Sequence, residues 1–527
     1  LSEALKPNTV RAGGIMMASL FLSRVLGILR DMIMAWSFGQ GPETDAYVLA
    51  FQIPDLLFFL IAGGALSSAF IPVFSEYLHT NREDEAWHVF SVVATVMSVA
   101  VTAFIVFAWI FAEPLTHVIA PMKGDELRPL IVHISRIVLP AQFAFFIGGL
   151  MFGTLYARQS FAAPGLGPNL YNLGIIFGAL VLSHFVQPGI VGMGWGALVG
   201  AIVGNLIVPF WVMRKMNSRF RVSFDLQHPG VRKVFKLMAP VVFGLSLTGV
   251  YSMITRALAT NYAVGVNTGL EFANKLMAAP VGIFGQSLAI AAFPALAQFY
   301  AQNRMDLYRD QLLKTLRTVL YLSIPVGALM FALSDEIVIA IFEYGKFRES
   351  DVVVVAASLR WYTLGVAAWC IHPVLMRAFF AQHRSVPPVV LGTIATGLYF
   401  GLALLLQDSP LGYRSLPFAG SVSAIALVIA MLLMTVKASD GFDIPSLLKA
   451  LGQVCFAAAV AGGVVYAASS ITPTGTGVGR NLWAIGKVVV LGLGGAWIYG
   501  GITYWMKMPE TQYLERALNK LPRRRGA

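Results

Sequence analysis

Charge is scarce in this chain of 527 residues: Asp, Glu, Lys and Arg together make up 12%, about half the share of a soluble protein. Cysteine is scarcer still, with two in the whole chain, and both Cys370 and Cys455 lie in apolar stretches. That excludes a disulfide scaffold and offers no metal-ligand spacing, so both read as small core residues. The eight histidines form no HxxxH or HExxH arrangement, and neither a metal nor another cofactor is expected. No paired carboxylates, nucleophile–base set or phosphate-cradling glycine loop stands at a useful spacing, which argues against an enzyme. No cleavable signal peptide is expected, because the first apolar segment carries Arg24, Arg30 and Asp31.

What the chain has is apolar length. Hydrophobic residues reach 57% and mean hydropathy is +0.72. A helix needs about 20 apolar residues to cross roughly 30 Å of hydrocarbon. Run lengths, charges and Pro/Gly breaks predict an all-α polytopic membrane protein with fourteen transmembrane helices. They fall near 12–36, 46–76, 87–112, 130–157, 166–186, 190–213, 237–261, 271–301, 318–334, 355–381, 386–407, 415–436, 450–470 and 483–506. With the N-terminus inside, 24 of the 38 Lys/Arg fall in cytoplasmic segments and six outside, so both termini are expected in the cytoplasm. The same rule explains the net charge of +12. Loop cations attract anionic headgroups, the tail Arg523–Arg525 reads as a topology or lipid anchor, and no nucleic-acid partner is expected.

The chain repeats after about 222 residues: Phe70–Asp84 (FIPVFSEYLHTNRED) aligns with Ala292–Asp306 (AFPALAQFYAQNRMD). Pro72 meets Pro294, Asn81-Arg82 meets Asn303-Arg304, and Asp84 meets Asp306. Six spans separate equivalent points, an even number, so the halves are expected to be parallel repeats about an axis along the membrane normal, a transporter architecture. The expected domains are residues 1–225 and 226–440, each a six-helix bundle, then 441–527 with two additional helices and a basic tail. Alternating access by rocking of the two bundles around a central cavity follows from that plan. Gly-rich stretches such as Gly192–Gly204 read as close helix packing.

Charges inside spans are costly, at least roughly 2.5–3.5 kcal/mol for an isolated arginine at the bilayer centre. In the first span, Ser23–Asp31 (SRVLGILRD) places Ser23, Arg24, Arg30 and Asp31 on one arc of about 120°. That arc faces a wet cavity or packing partners. Asp45 opens the second span, as an N-cap or as part of the site. Asp55 is a partner for Arg24 or Arg30. Arg256 has no carboxylate within a turn and is a cavity candidate. Asn274 and Lys275 open the eighth span, where Glu271 and Lys275 stand i to i+4, leaving an intrahelical ion pair open as well. Arg377 either lines the same cavity or snorkels to the cytoplasm. A cavity lined by guanidinium groups suits phosphate or pyrophosphate.

The chain resembles the MurJ (MviN) family of lipid II flippases, within the multidrug/oligosaccharidyl-lipid/polysaccharide exporter superfamily. The resemblance rests on Ser23–Asp31, Phe38–Leu57, Gly64–Tyr77, Phe272–Leu296, Phe342–Phe347 and His372–Pro388, and covers about residues 10–440. It implies fourteen transmembrane helices and export of undecaprenyl-pyrophosphate-linked peptidoglycan precursor across the bacterial inner membrane, with lipid II and membrane lipids as partners. The family's first-span arginines fall on Arg24 and Arg30, its acidic positions on Asp31 and Asp45, and its cation opening span eight on Lys275. Asn274 takes a place held by Asp or Asn. Two departures stand out: the family's span-two arginine and glutamate become Phe58 and Gly63, and span eleven lacks the Asn or Asp that serves some members as sodium ligands. The coupling ion stays open. The alternatives are a related polysaccharide-lipid flippase, a drug exporter, and a membrane-embedded polyprenyl-phosphate glycosyltransferase, the last disfavoured by short extracytoplasmic loops.

Overall fold

The computed structural model describes residues 7–61, 65–119, 126–158, 160–216, 218–384, 386–438, 441–472 and 479–512. Gly63, Lys123, Ser439 and Arg523–Arg525 lie outside the described residues, as does the side chain of Phe58. Every regular element among the described residues is helical. In chain order they are α1 (Pro7–Phe38), α2 (Pro42–Ala50), α3 (Gln52–Ile61), α4 (Ala65–His79), α5 (Glu83–Ile110), α6 (Ala112–Ile119), α7 (Arg128–Val138), α8 (Ala141–Ala157), α9 (Ala162–Leu180), α10 (Val191–Ala201) and α11 (Val208–Lys215). There follow α12 (Pro229–Ala259), α13 (Val266–Pro280), α14 (Ser287–Ala301), α15 (Met305–Ala332), α16 (Ser334–Phe342), α17 (Glu349–Thr363), α18 (Val366–Ala381), α19 (Val386–Leu405), α20 (Ser415–Ala438), α21 (Ile444–Ile471) and α22 (Arg480–Trp505). Ten helices among the described residues are long and apolar enough to cross a membrane, or eleven when α17 and α18, bent by 49°, form one span. The chain is a multi-pass membrane protein. The other expected spans fall on α1, on the broken series α2–α4 and on α12.

The chain divides into two compact units, residues 1–268 with 344–347, and residues 269–343 with 348–527. In the first, Phe70 and Phe74 of α4 pack on Trp87 and Phe90 of α5 and on Phe146 of α8. The glycines of α9 and α10 do what close packing requires: a Cβ at Gly174 would lie 2.6 Å from the Gly196 carbonyl, and one at Gly178 would lie 2.4 Å from that of Gly192. Residues 344–347 fold onto the end of α1, where the Lys346 amide donates to the Trp36 carbonyl at 3.0 Å. Gly345 has φ +61° and a Cβ there would meet the Trp36 carbonyl at 2.4 Å, so only glycine fits.

In the second unit, α21 and α22 dock on α15 and α16. Tyr321, Val454, Ala457, Ala461 and Tyr499 form their shared core, and the Tyr499 hydroxyl donates to the Tyr321 carbonyl at 2.9 Å. Lys487 of α22, buried, donates to Glu336 at 2.9 Å and to the carbonyls of Ser469 and Thr472 at 3.1 and 2.8 Å. All three ammonium protons are thereby satisfied, which is what lets a lysine sit inside the bundle. Cys370 is buried as expected, whereas Cys455 is exposed and lines an apolar groove, a correction to its reading as a core residue. Its neighbours Val454 and Ala458 take the side of α21 that packs with Tyr321 of α15, which leaves Cys455 on the groove side.

The two segments aligned in sequence end in the same local geometry. α4 and α14 each end on an asparagine in the left-handed region, Asn81 at φ 57° and Asn303 at φ 54°. In each, the next arginine amide closes the turn, Arg82 to Tyr77 and Arg304 to Phe299, both at 2.9 Å. Asparagine tolerates this conformation where most residues do not, and the six-to-one bond satisfies a terminal carbonyl. The helices that follow, α5 and α15, are both 28 residues long.

Candidate substrate site

In the first unit α1 packs along α9, and its polar arc meets asparagines there. Asn172, buried, donates to the Ser23 carbonyl at 3.3 Å and accepts from Arg30 Nη1 at 3.1 Å. Arg30 also donates from Nε and Nη2 to Asp31 Oδ1, at 3.0 and 2.9 Å. Arg30 is thus held on two sides and Asp31 is 3% exposed. Asn169, one turn earlier on α9, donates to the Gly165 carbonyl at 2.9 Å and to the Ser19 carbonyl at 3.3 Å. Arg24 differs: it is exposed, and no hydrogen bond or ion pair engages it among the described residues. The arc therefore presents one fixed guanidinium and one open one.

Asp45 is neither an exposed site carboxylate nor the cap of its own helix. It lies inside α2, whose start is closed instead by Thr44, whose hydroxyl accepts from the Gly41 amide at 2.9 Å. The Asp45 carboxylate, 4% exposed, accepts from the Gly265 amide at 2.6 Å, the Thr268 amide at 2.8 Å and the Thr268 hydroxyl at 2.7 Å. It caps the first turn of α13 from a distant part of the chain, meeting backbone donors that a helix start leaves orphaned. Gln40 adds a bond to the Gly265 carbonyl at 2.7 Å.

Asp55 pairs with Arg256, Nη1 to Oδ2 at 2.8 Å, and this replaces the expected pairing with Arg24 or Arg30. Arg256 has no acid near it in sequence but finds one 201 residues away, so it is neutralised rather than an open cation. In the second unit, Lys275 Nζ lies 3.5 Å from Glu271 Oε1, the intrahelical pair that the spacing allowed. Asn274 and Arg377 are both partly exposed.

No cluster of three His, Cys, Asp or Glu placed to hold a metal occurs among the described residues. The second unit also contains an apolar groove of about 650 Å³, lined by Gly327, Ala328, Leu364, Cys455, Gly463 and Tyr466 among others.

The sequence profile described as lipid II flippase MurJ matches residues 34–486. The chain belongs to this family. Among curated relatives, it is 28% identical over 459 residues to the probable lipid II flippase MurJ of Treponema pallidum, covering 84% of this chain and 85% of that protein. Among solved structures, it is similar to a lipid II flippase MurJ in an inward closed conformation, with a TM-score of 0.78, 22% identity, and 94% and 99% of the two chains covered. It is also similar to an inward-facing multidrug resistance MATE family transporter of the MOP superfamily, with a TM-score of 0.67, 15% identity, and 81% and 99% covered. At those identities the two structures establish the fold.

Sequence reasoning did not find Asn172, Gly265 or Thr268. Asn172 carried a usable signal, a lone amide in an apolar helix, which the cost of burying an unpaired polar group makes conspicuous. Gly265 contributes only a backbone amide, which leaves no trace in sequence.

Proposed function

We propose that the chain moves lipid II from the inner to the outer leaflet of the bacterial inner membrane by alternating access. The family match over residues 34–486 carries this reading; the cationic arc of α1 gives it a chemistry. Arg24 is the primary pyrophosphate contact, with its planar fork open to a phosphate. Arg30, set by Asp31 and Asn172, supplies a second, fixed cation, and Ser23 lies on the same arc. Asp45 and Arg256 act by holding backbone and charge in place. Lys275, Asn274 and Arg377 are further substrate contacts of the second unit. Differential affinity drives the cycle, since a ligand shifts a two-state protein only by binding its states unequally.

The spans of this reading number fourteen, the eleven counted with the bent pair plus α1, α2–α4 and α12. Two parallel six-helix bundles, 1–225 and 226–440, precede the added pair α21 and α22, and both termini are cytoplasmic. The equal cap geometry at Asn81 and Asn303 supports the repeat, and the excess of cytoplasmic cations supports the orientation. The deciding experiment is rescue of cells depleted of their native lipid II flippase, scored by lipid II accessible on the outer leaflet. Export should return with this chain; a chain that accumulates in the membrane and exports nothing would refute the proposal.

Two variants test its parts. A Glu271–Lys275 pair is worth about 0.3–0.5 kcal/mol as a helix contact, too little to matter for export. The double variant Glu271→Lys with Lys275→Glu restores that pair, so it is expected to accumulate normally and to fail in rescue. A working swap removes Lys275 from the substrate site.

The apolar groove suits a polyprenyl tail. Its walls decide where to probe it: a Cβ at Gly462 would lie 3.2 Å from Ala328 Cβ, so a large residue there breaks packing. Gly463 lines the groove and has no atom within 4 Å of an added Cβ. Gly463→Trp is expected to lower export about tenfold, the loss that ~1.4 kcal/mol of tail contact represents, at unchanged protein level. Undiminished export would show that the tail travels elsewhere.

A further inference from the structure

The segment joining α11 to α12 is not a solvated tether. From Arg219 it runs onto the face of α5: Ser91 Oγ donates to the Arg219 carbonyl at 3.4 Å and accepts from the Arg221 amide at 3.1 Å. The Ser223 amide then donates to Thr95 Oγ1 at 3.3 Å. The chain turns back there, because Asp225 meets His88 at 3.2 Å and His228 lies 3.7 Å from Glu85. Arg219 closes the near end by pairing with Asp84. Ser91 and Thr95 are 2% and 6% exposed as a result.

The tip lies beyond the end of the solvated part of α5. At 28 residues this helix is about 42 Å long, roughly 12 Å more than the hydrocarbon layer. Its far end is apolar through Ile110 and its near end opens with Glu83, Asp84 and Glu85, so the surplus falls at the acidic end. That puts the hydrocarbon boundary near Ser91, and the contact with Thr95 one turn deeper.

Side chains alternate along this segment as they do in any extended chain. Phe220 turns its ring edge-on to Phe90 of α5, the centroids 6.5 Å apart, while Val222, Phe224 and Leu226 are exposed by 71%, 61% and 50%. Three large apolar groups at alternate positions of one loop tip are more than chance exposure. Arg221 within the segment, Arg214 in the last turn of α11 and Arg232 and Lys236 in the first turns of α12 are all exposed and outside every ion pair among the described residues. Trp211, stacked by Lys215 Nζ at 3.4 Å from its ring centre, marks the level at which indoles prefer to sit, the membrane–water interface.

We propose that residues 219–226 are a lipid-inserted hairpin of the cytoplasmic leaflet, and that the cations in it and on the helix ends it joins bind anionic phospholipid headgroups. The apolar tip enters the boundary between headgroups and acyl chains, the depth at which amphipathic segments bury about 5–10 Å. The four open cations then lie at phosphate level, where each contributes attraction to an anionic leaflet. The hairpin gives the protein a preference for anionic lipid beside the joint between its repeats, whatever cargo it carries.

The test uses the full chain with Cys455→Ser, reconstituted in vesicles of phosphatidylglycerol and phosphatidylcholine, with an environment-sensitive fluorophore on Val222→Cys. A nitroxide high on the acyl chain should quench the probe and aqueous iodide should not. Spin-labelled phosphatidylglycerol should quench it better than spin-labelled phosphatidylcholine. The variant Arg214→Gln/Arg221→Gln/Arg232→Gln/Lys236→Gln should lose more than about tenfold of that preference at low salt. The same fluorophore on Val99→Cys, a lipid-facing position of α5 exposed by 54%, should be unaffected and reports intact folding. Iodide quenching at Val222 would overturn the proposal in favour of a water-exposed or protein-docking loop. An unchanged lipid preference in the quadruple variant would overturn the headgroup assignment.

Discussion

Arg24→Ala is expected to lower lipid II export by about tenfold to more than a hundredfold while the protein inserts and accumulates at its normal level. Arg24 is exposed on α1 and holds no other side chain in place, so its removal takes nothing from the fold. A charge-assisted contact to phosphate is worth about 1.5–3 kcal/mol, a loss of roughly tenfold to more than a hundredfold. Arg24→Lys keeps the charge without the planar fork and should fall between. Arg30→Ala has a different signature. It strips the guanidinium from Asp31, at 2.9 Å, and from Asn172, at 3.1 Å, leaving a carboxylate that is 3% exposed with its neighbouring cation gone. Breaking such a buried pair costs about 3–5 kcal/mol, so folded protein should drop along with export. The measurements are outer-leaflet lipid II and monodisperse protein recovered from the membrane. Normal export by Arg24→Ala sinks its assignment as the pyrophosphate contact, and normal recovery of Arg30→Ala sinks the packing account.

The contrast between these two arginines shows where sequence is legible. The helical wheel places both on one arc, because periodicity is a local property. It does not tell which one α9 captures, since Asn172 is 142 residues from Arg30. Asp55 and Arg256 make the same point: each is an isolated charge in sequence, and their pairing depends on which helices pack. The Asn-Arg match between residues 81–82 and 303–304 stood out in sequence for a physical reason. The left-handed turns at Asn81 and Asn303 admit few residue types, so the Asn-Arg register persists where apolar positions interchange freely. Span counting is less secure where polar residues interrupt the pattern, and α2–α4 is the instance, its helix broken at Phe51 in a stretch that hydropathy alone reads as continuous.

Asp45→Asn should loosen the start of α13 even in the absence of substrate. The carboxylate offers acceptors to three donors, and Asp45 Oδ1 serves the Thr268 amide and hydroxyl together. An asparagine of the same shape keeps one acceptor and turns an amide towards a backbone N–H. One buried donor is then orphaned and the charge assistance is lost, together about 2–3 kcal/mol. Local opening governs amide exchange when the rest of the fold is intact. Hydrogen exchange at Gly265 and Thr268 should therefore accelerate about 30- to 160-fold in Asp45→Asn. In Thr268→Val, which removes only the hydroxyl bond at 2.7 Å, about fivefold is expected from a loss near 1 kcal/mol. Exchange in α5, which makes no bond to Asp45, should not change. If Asp45 served the substrate instead, exchange at Gly265 and Thr268 would match the parent chain while export failed, and the capping role would be wrong. The graded order, with Asp45→Asn well above Thr268→Val, is what a buried carboxylate holding two backbone amides requires.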